Sequence, residues 1–233
     1  MSLSRNSRIG IIAVFVACAT TLAVAGAMAW LRSSPPVVDF TAGHQAGQPV
    51  DLTVMTVGAI GVGAHPTWVS YLVMSPQGQW VHTTLWQLPA HTQINVTIDQ
   101  FDTGSPIRNP ENGQVLGVIG DKETINGKST SLIDSYASNA DGGLGLGHTF
   151  SIPTLGINVP LLGVLNPSAN SFCSAGPCTT ANEHNVITFS FMTPAPGEYP
   201  WQCFVPCGAG FLYGNGGPMS TVGYMGGFLE VVA

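Results

Sequence analysis

Two cysteines with three residues between them, Cys203 and Cys207, are followed by a stretch from Gly208 to Pro218 that is dense in glycine. Thiolates select copper, zinc or iron–sulfur among the biological metals. A turn at Val205-Pro206 lets both sulfurs face one pocket. A second candidate lies far upstream in Gly147-His148-Thr149-Phe150-Ser151-Ile152. There the period of two puts His148, Phe150 and Ile152 on one face of a strand and Thr149 and Ser151 on the other. An imidazole on that apolar face either binds a metal or is a hydrogen-bonded core histidine.

The other titratable residues narrow the function. Cys173 and Cys178 flank a four-residue loop with no histidine or third thiol beside it, so a small-loop disulfide is expected. Paired cysteines of this kind suit an oxidising compartment. No HExxH pattern, nucleophile elbow or catalytic carboxylate pair occurs, so hydrolytic chemistry has no support. The glycines of 141–147 precede neither a Lys-Ser/Thr pair nor a helix, and so form no phosphate loop. Beyond residue 32 the cations are Arg108, Lys122 and Lys128 against all 12 carboxylates, a net charge of −9. That excludes nucleic acid as a partner. It either steers a basic redox protein such as a cytochrome or simply keeps the domain soluble.

Several elements must position these groups. Ile9 to Leu31 is uncharged for 23 residues, with Arg5 and Arg8 before it. Such a run can span a bilayer as a helix, and the flanking arginines place the remainder outside the cytoplasm. The competing reading is a signal peptide cleaved after Ala27-Met28-Ala29. Residues 1–32 are therefore expected to be an anchor (or signal peptide), 33–49 a Pro/Gly-rich linker, and 50–233 one domain, consistent with 45% hydrophobic residues in a chain of this length. Strand-like runs recur over 51–57, 68–74, 79–88, 93–99, 148–152, 185–192, 198–204 and 228–232, separated by Gly and Pro turns. They predict one antiparallel, all-β Greek-key sandwich, interrupted by a polar insertion over about 105–147 with a hairpin formed from 114–119 and 128–132. Trp68, Trp80 and Trp86 are assigned to sheet packing. His184 is a weaker candidate ligand, and His44, His65, His82 and His91 are assigned to turns and surface.

The Cys203-x-x-x-Cys207 pair, the upstream Gly-His148-Thr-Phe strand and the Gly223-Tyr-Met-x-Gly ending resemble the extracytoplasmic cupredoxin domain of haem–copper oxidase subunit II. More loosely, they resemble sulfocyanin-type blue copper proteins. The resemblance implies a cupredoxin-like fold, copper as cofactor, and His148 as first ligand together with Cys203 and Cys207. It departs from the family pattern at Phe211 and Gly214, where the subunit II loop carries histidine and methionine. No histidine follows His184 anywhere. A set of His148, Cys203 and Cys207 completed by Met219 or Met225 is rich in sulfur and poor in imidazole, which favours Cu(I). Three functions remain open: a membrane-anchored electron-transfer subunit working with oxidase subunits or a cytochrome, a copper-binding or assembly module, and a metal-free structural accessory subunit of a membrane oxidase.

The apolar run of Ile9 to Leu31 exceeds the ~7–15 residues of a signal-peptide core. Intact-mass measurement of the membrane-extracted protein is therefore expected to find the N-terminal segment retained; a chain beginning at Trp30 would establish secretion instead.

Overall fold

The computed structural model describes residues 4–31, 35–137, 144–165, 178, 183–208 and 216–233. Two compact units are present, Met1–Ser34 and Pro35–Ala233. The first is one helix, α1 (Arg5–Leu31). Its Ile9–Met28 stretch has a mean hydropathy of 2.3 and is long and apolar enough to cross a membrane. Signal sequences meet the same criteria. Thr20 and Thr21 return their hydroxyls to the Val16 and Ala17 carbonyls, so neither adds an unsatisfied polar group to the apolar surface.

The second unit is a sandwich of two sheets, as the alternating runs predict. The six-stranded sheet orders β1 (Val37–Asp39), β5 (Leu85–Pro89), β13 (Gly226–Val232), β12 (Gly197–Gln202), β9 (Leu146–Ile152) and β10 (Ile157–Leu162). The seven-stranded sheet orders β4 (Trp80–Val81), β3 (Ser70–Met74), β2 (Val50–Val57), β6 (Gln93–Gln100), β11 (Asn185–Met192), β7 (Glu123–Ile125) and β8 (Lys128–Thr130). Period-two patterning places the inner faces. Ile94, Val96 and Ile98 of β6 and Ile187, Phe189 and Phe191 of β11 point inward against Trp86, Phe150 and Trp201 of the opposite sheet. Trp86 stacks on Trp201 at 4.7 Å between centroids, and Phe150 lies 5.2 Å from Trp201. Aromatic pairs of this kind add about 0.5–1.5 kcal/mol each beyond burial. The two indole N–H groups donate to Thr83 and Thr84 carbonyls.

Two sequence expectations are corrected and two elements are added. Pairing is mixed rather than antiparallel, since β1 with β5, β13 with β5 and β2 with β6 run parallel. The reason is that the run over 79–88 is two strands, β4 in one sheet and β5 in the other. The chain thus leaves the sheet after β4 and re-enters as β6, so β2 gains a neighbour distant in sequence. The sandwich takes in Val37–Asp39, inside the stretch expected to be linker. Within the insertion, Gln114 pairs antiparallel with Leu132, as the runs over 114–119 and 128–132 predict, and a tighter hairpin joins β7 to β8 across Asn126-Gly127, both in left-handed conformation. Asn-Gly between short β-prone runs is a strong hairpin signal. Finally, β10 was not anticipated at all, and it pairs with β9 along its whole length.

Glu123, at the start of β7, is 1% exposed, and among the described residues neither of its carboxylate oxygens has a hydrogen-bond partner. Burial therefore raises its pKa from 4.5 to about 8. A folded-state pKa above the unfolded one contributes stability that is complete below pH 4.5 and is lost as pH rises through about 8. Denaturant unfolding is expected to show this fall, with a slope no steeper than about 1.4 kcal/mol per pH unit. Glu123→Gln should flatten that part of the profile and be the more stable protein above pH 8; parallel profiles for the two would contradict the assignment.

Candidate metal centre

Three segments meet at one end of the sandwich. β9 carries His148, the residue after β12 is Cys203, and the chain leaving Cys203 returns with Cys207. Cys203 N–H donates to the Met225 carbonyl at 2.9 Å, which fixes the thiol's Cα against the strand that follows. Phe204 N–H donates to Thr149 Oγ1 at 2.8 Å, locking the same peptide to β9. Cys207 N–H then bonds the Val205 carbonyl at 2.7 Å, a tight turn around Pro206, whose fixed φ suits it. This is the turn that the Val205-Pro206 pair implies.

The result is a buried cluster. Nδ1 of His148 lies 2.9 Å from Cys207 Sγ and 3.9 Å from Cys203 Sγ, and the two sulfurs are 3.6 Å apart. Both cysteines are free thiols. His148 and Cys203 are wholly buried and Cys207 is half-buried. Cys207 also lines a cavity of about 490 Å³ with Asp102, Trp68, Val69, Pro206 and Pro218. The hydroxyl of Tyr71, itself fully buried, donates to the Thr149 carbonyl at 2.9 Å and so braces the backbone beside His148.

Behind the imidazole stands a group that the sequence did not reveal. Asp102 Oδ2 lies 3.3 Å from His148 Nε2, within ion-pair distance but off the N–H axis, so no well-aligned hydrogen bond forms. Asp102 follows β6 and is held by its neighbours. Thr103 N–H donates to its Oδ1 at 2.7 Å, and the buried Gln100 amide donates to its carbonyl at 3.1 Å. Gln100 in turn accepts from Thr56. A Cβ on residue 147 would collide with the Gln100 amide, which accounts for Gly147 directly before the candidate ligand. No local signal marks Asp102; it is an ordinary acidic residue in a turn until the fold sets it behind His148.

These contacts set the electrostatics. Burial opposes ionisation of Cys203, but hydrogen bonds from Cys207 and His148, the imidazolium charge and the Thr149 N–H outweigh it and hold the thiol well below its ordinary value. The Cys207 thiol goes the other way. Its hydrogen bond to Cys203, then burial and the neighbouring Cys203 and Asp102 charges, push it far up. Burial would lower His148, yet Asp102 and Cys203 together raise it to about 9. Burial pushes Asp102 up, and the facing His148 imidazolium, with the Thr103 N–H, more than offsets it, leaving the carboxyl below its usual range. The metal-free pocket is thus a thiolate–imidazolium pair with a neutral second thiol.

Of the four residues expected to bind metal, His148, Cys203 and Cys207 converge, with ligand atoms all within 4.8 Å of one another. Met219 sits on a single helical turn, Pro218–Ser220, and lines a different groove with Trp201 and Phe228. Phe211 and Gly214 lie outside the described residues. So does Cys173, whereas Cys178 is disulfide-bonded. His184 stacks on Phe101 and is not part of the cluster. The three donors fit a soft ion. Sulfurs 3.6 Å apart can share one metal at thiolate bond lengths of about 2.3 Å, and Nδ1 faces both of them.

No family model matches the chain, and no curated protein matches it. Among solved structures the chain is similar to the copper protein rusticyanin. One such structure shows 14% identity over 91% of this chain and 94% of the other, with a TM-score of 0.33. A rusticyanin variant shows 13% identity over 86% and 84%, with a TM-score of 0.35. The rusticyanin of Thiobacillus ferrooxidans shows 15% identity over 86% and 85%, with a TM-score of 0.30. At these values the likeness carries no weight for the site, whose chemistry follows from its own donors.

Reduced, metal-free protein near neutral pH is expected to show the ultraviolet absorbance of one cluster thiolate, assigned to Cys203. His148→Ala removes the cation that offsets burial, so that absorbance should be lost until strongly alkaline pH. An undiminished thiolate signal in His148→Ala would show that the imidazole does not hold the charge.

Proposed function

We propose that this chain is a membrane-anchored, extracytoplasmic copper protein of the cupredoxin type, carrying electrons in a respiratory chain through a site with one imidazole and two thiolates. The observation that carries the reading is the convergence of His148 Nδ1, Cys203 Sγ and Cys207 Sγ in a buried pocket. Cys203 and Cys207 would hold the ion by sulfur and His148 by Nδ1. Bound copper supplies one-electron exchange between Cu(I) and Cu(II). The chain's own residues bury the Cys203 sulfur, fix it through the Met225 and Thr149 hydrogen bonds, return Cys207 beside it through the Val205 turn, and hold the imidazole against Asp102. A rigid frame of this kind limits rearrangement when charge changes, which is what electron transfer requires.

The donor set also bears on stoichiometry. A binuclear centre bridged by two thiolates needs a terminal imidazole on each ion, and the cluster has a single histidine. On this reading the chain would resemble oxidase subunit II in where its ligands sit, with an altered metal loop. The apolar helix α1 supports a single-pass anchor, and the net charge of −9 beyond residue 32 supports a basic partner such as a cytochrome or an oxidase surface.

Metal analysis of the detergent-solubilised full chain, reduced and loaded with Cu(I), is expected to find about one copper per protein and no mixed-valence near-infrared band. Cys203→Ser, Cys207→Ser and His148→Ala should each lose it. Two coppers with that band would overturn the single-site reading. Zinc retained in preference to copper would overturn the redox role, and Cys203 and Cys207 recovered as a disulfide with no metal bound would make the chain a structural subunit.

A further inference from the structure

We infer that Asp102 is a positioning residue for the metal centre: when the His148 imidazolium gives up one proton, the carboxylate retains the other on Nε2, so that Nδ1 is the nitrogen offered beside Cys203 and Cys207. The inference rests on the copper reading for its purpose, but its geometry stands apart from any metal. His148 is wholly buried and its two ring nitrogens face different chemistry, Nδ1 toward sulfurs at 2.9 and 3.9 Å and Nε2 toward Asp102 Oδ2 at 3.3 Å. Among the described residues no other acceptor is recorded at Nε2. In imidazole the nitrogen that keeps the proton cannot ligate, so whatever holds Nε2–H decides which nitrogen is offered. A carboxylate behind a ligating histidine does this, fixing the ring's tautomer and orientation and raising its basicity.

The surroundings are arranged around that carboxylate. A Cβ on residue 58 would stand 2.8 Å from Asp102 Oδ1, so glycine at this position leaves the space the acid occupies. Thr103 N–H takes Oδ1 at 2.7 Å, which leaves Oδ2 for the imidazole. Gln100, fully buried, ties the Asp102 backbone from both sides, accepting from its N–H at 3.3 Å and donating to its carbonyl at 3.1 Å. The acid is thus anchored by Thr103 and Gln100, neither of which touches the sulfurs in a recorded hydrogen bond.

The test uses full-length protein in detergent micelles, labelled with ¹⁵N-histidine, reduced and metal-free. In the alkaline limit the His148 ring is expected to carry its proton on Nε2. Asp102→Ala and the isosteric Asp102→Asn should shift population to the Nδ1–H form, and Gly58→Ala, which keeps the acid but displaces it, should do so in part. Cu(I) affinity, measured by competition with a chromophoric chelator, should fall by about 10- to 100-fold in the Asp102 variants. An unchanged Nε2–H population in Asp102→Asn and Gly58→Ala overturns the inference, and so does unchanged copper affinity in both Asp102 variants. If the wild-type chain takes up no copper, the ring-nitrogen signals still decide the role of Asp102, and the failure belongs to the copper reading alone.

Discussion

Thr149 holds the functional end of this molecule together. Its hydroxyl accepts from Phe204 N–H at 2.8 Å, and its own N–H points at Cys203 Sγ at 3.4 Å. Those bonds join residues 55 and 54 positions apart in the chain, at a place where β9 and β12 share only the Gln202–Ser151 register. Ladder bonds alone would leave the thiol free to swing past the end of the sheet. The reciprocal pair fixes it beside His148 instead, while Tyr71, reaching across from the opposite sheet, holds the Thr149 carbonyl. Both sheets of the sandwich therefore converge on one residue next to the imidazole.

Electrostatics follow from that confinement. Burying one thiolate would be costly on its own. Here the cost is met by an imidazolium, the second thiol and a backbone N–H, all brought near Cys203. The imidazolium is sustained in turn by Asp102 and by the thiolate it neutralises. The charges run in alternation: carboxylate, imidazolium, thiolate. Glu123 presents the opposite case, a buried acid with no hydrogen-bond partner among the described residues, which burial keeps protonated up to about pH 8. The two acids differ in what faces them as well as in depth: Asp102 is part-exposed and meets an imidazolium, whereas Glu123 is fully buried.

Small residues make this density possible. Gly147 is glycine because the Gln100 amide fills the place of its side chain, and Gly58 because the Asp102 carboxylate does. Each lies close to the candidate ligand in space, and each substitution would force a polar anchor to move. Packing around the site is thus directed at side-chain polar groups rather than at apolar filling, whereas the centre of the sandwich is the aromatic stack of Trp86, Trp201 and Phe150.

Much was legible from residue order because it is written in local periodicity. Alternation exposed the strands and the inward face of His148, the long uncharged run marked the helix, and Val205-Pro206 marked the turn that brings Cys207 back to Cys203. The Asn126-Gly127 hairpin was missed, because the strands it joins are three residues each and lie in a polar insertion. Strand direction was not legible either, because parallel pairing of β2 with β6 and of β5 with β13 depends on where the chain changes sheets, and a two-residue strand such as β4 carries too little periodicity to mark the change. Asp102 was hidden for a related reason. Its role comes from standing 3.3 Å from an imidazole 46 positions away, in a space opened by Gly58 and anchored by Gln100, and only tertiary packing sets distances between residues so far apart.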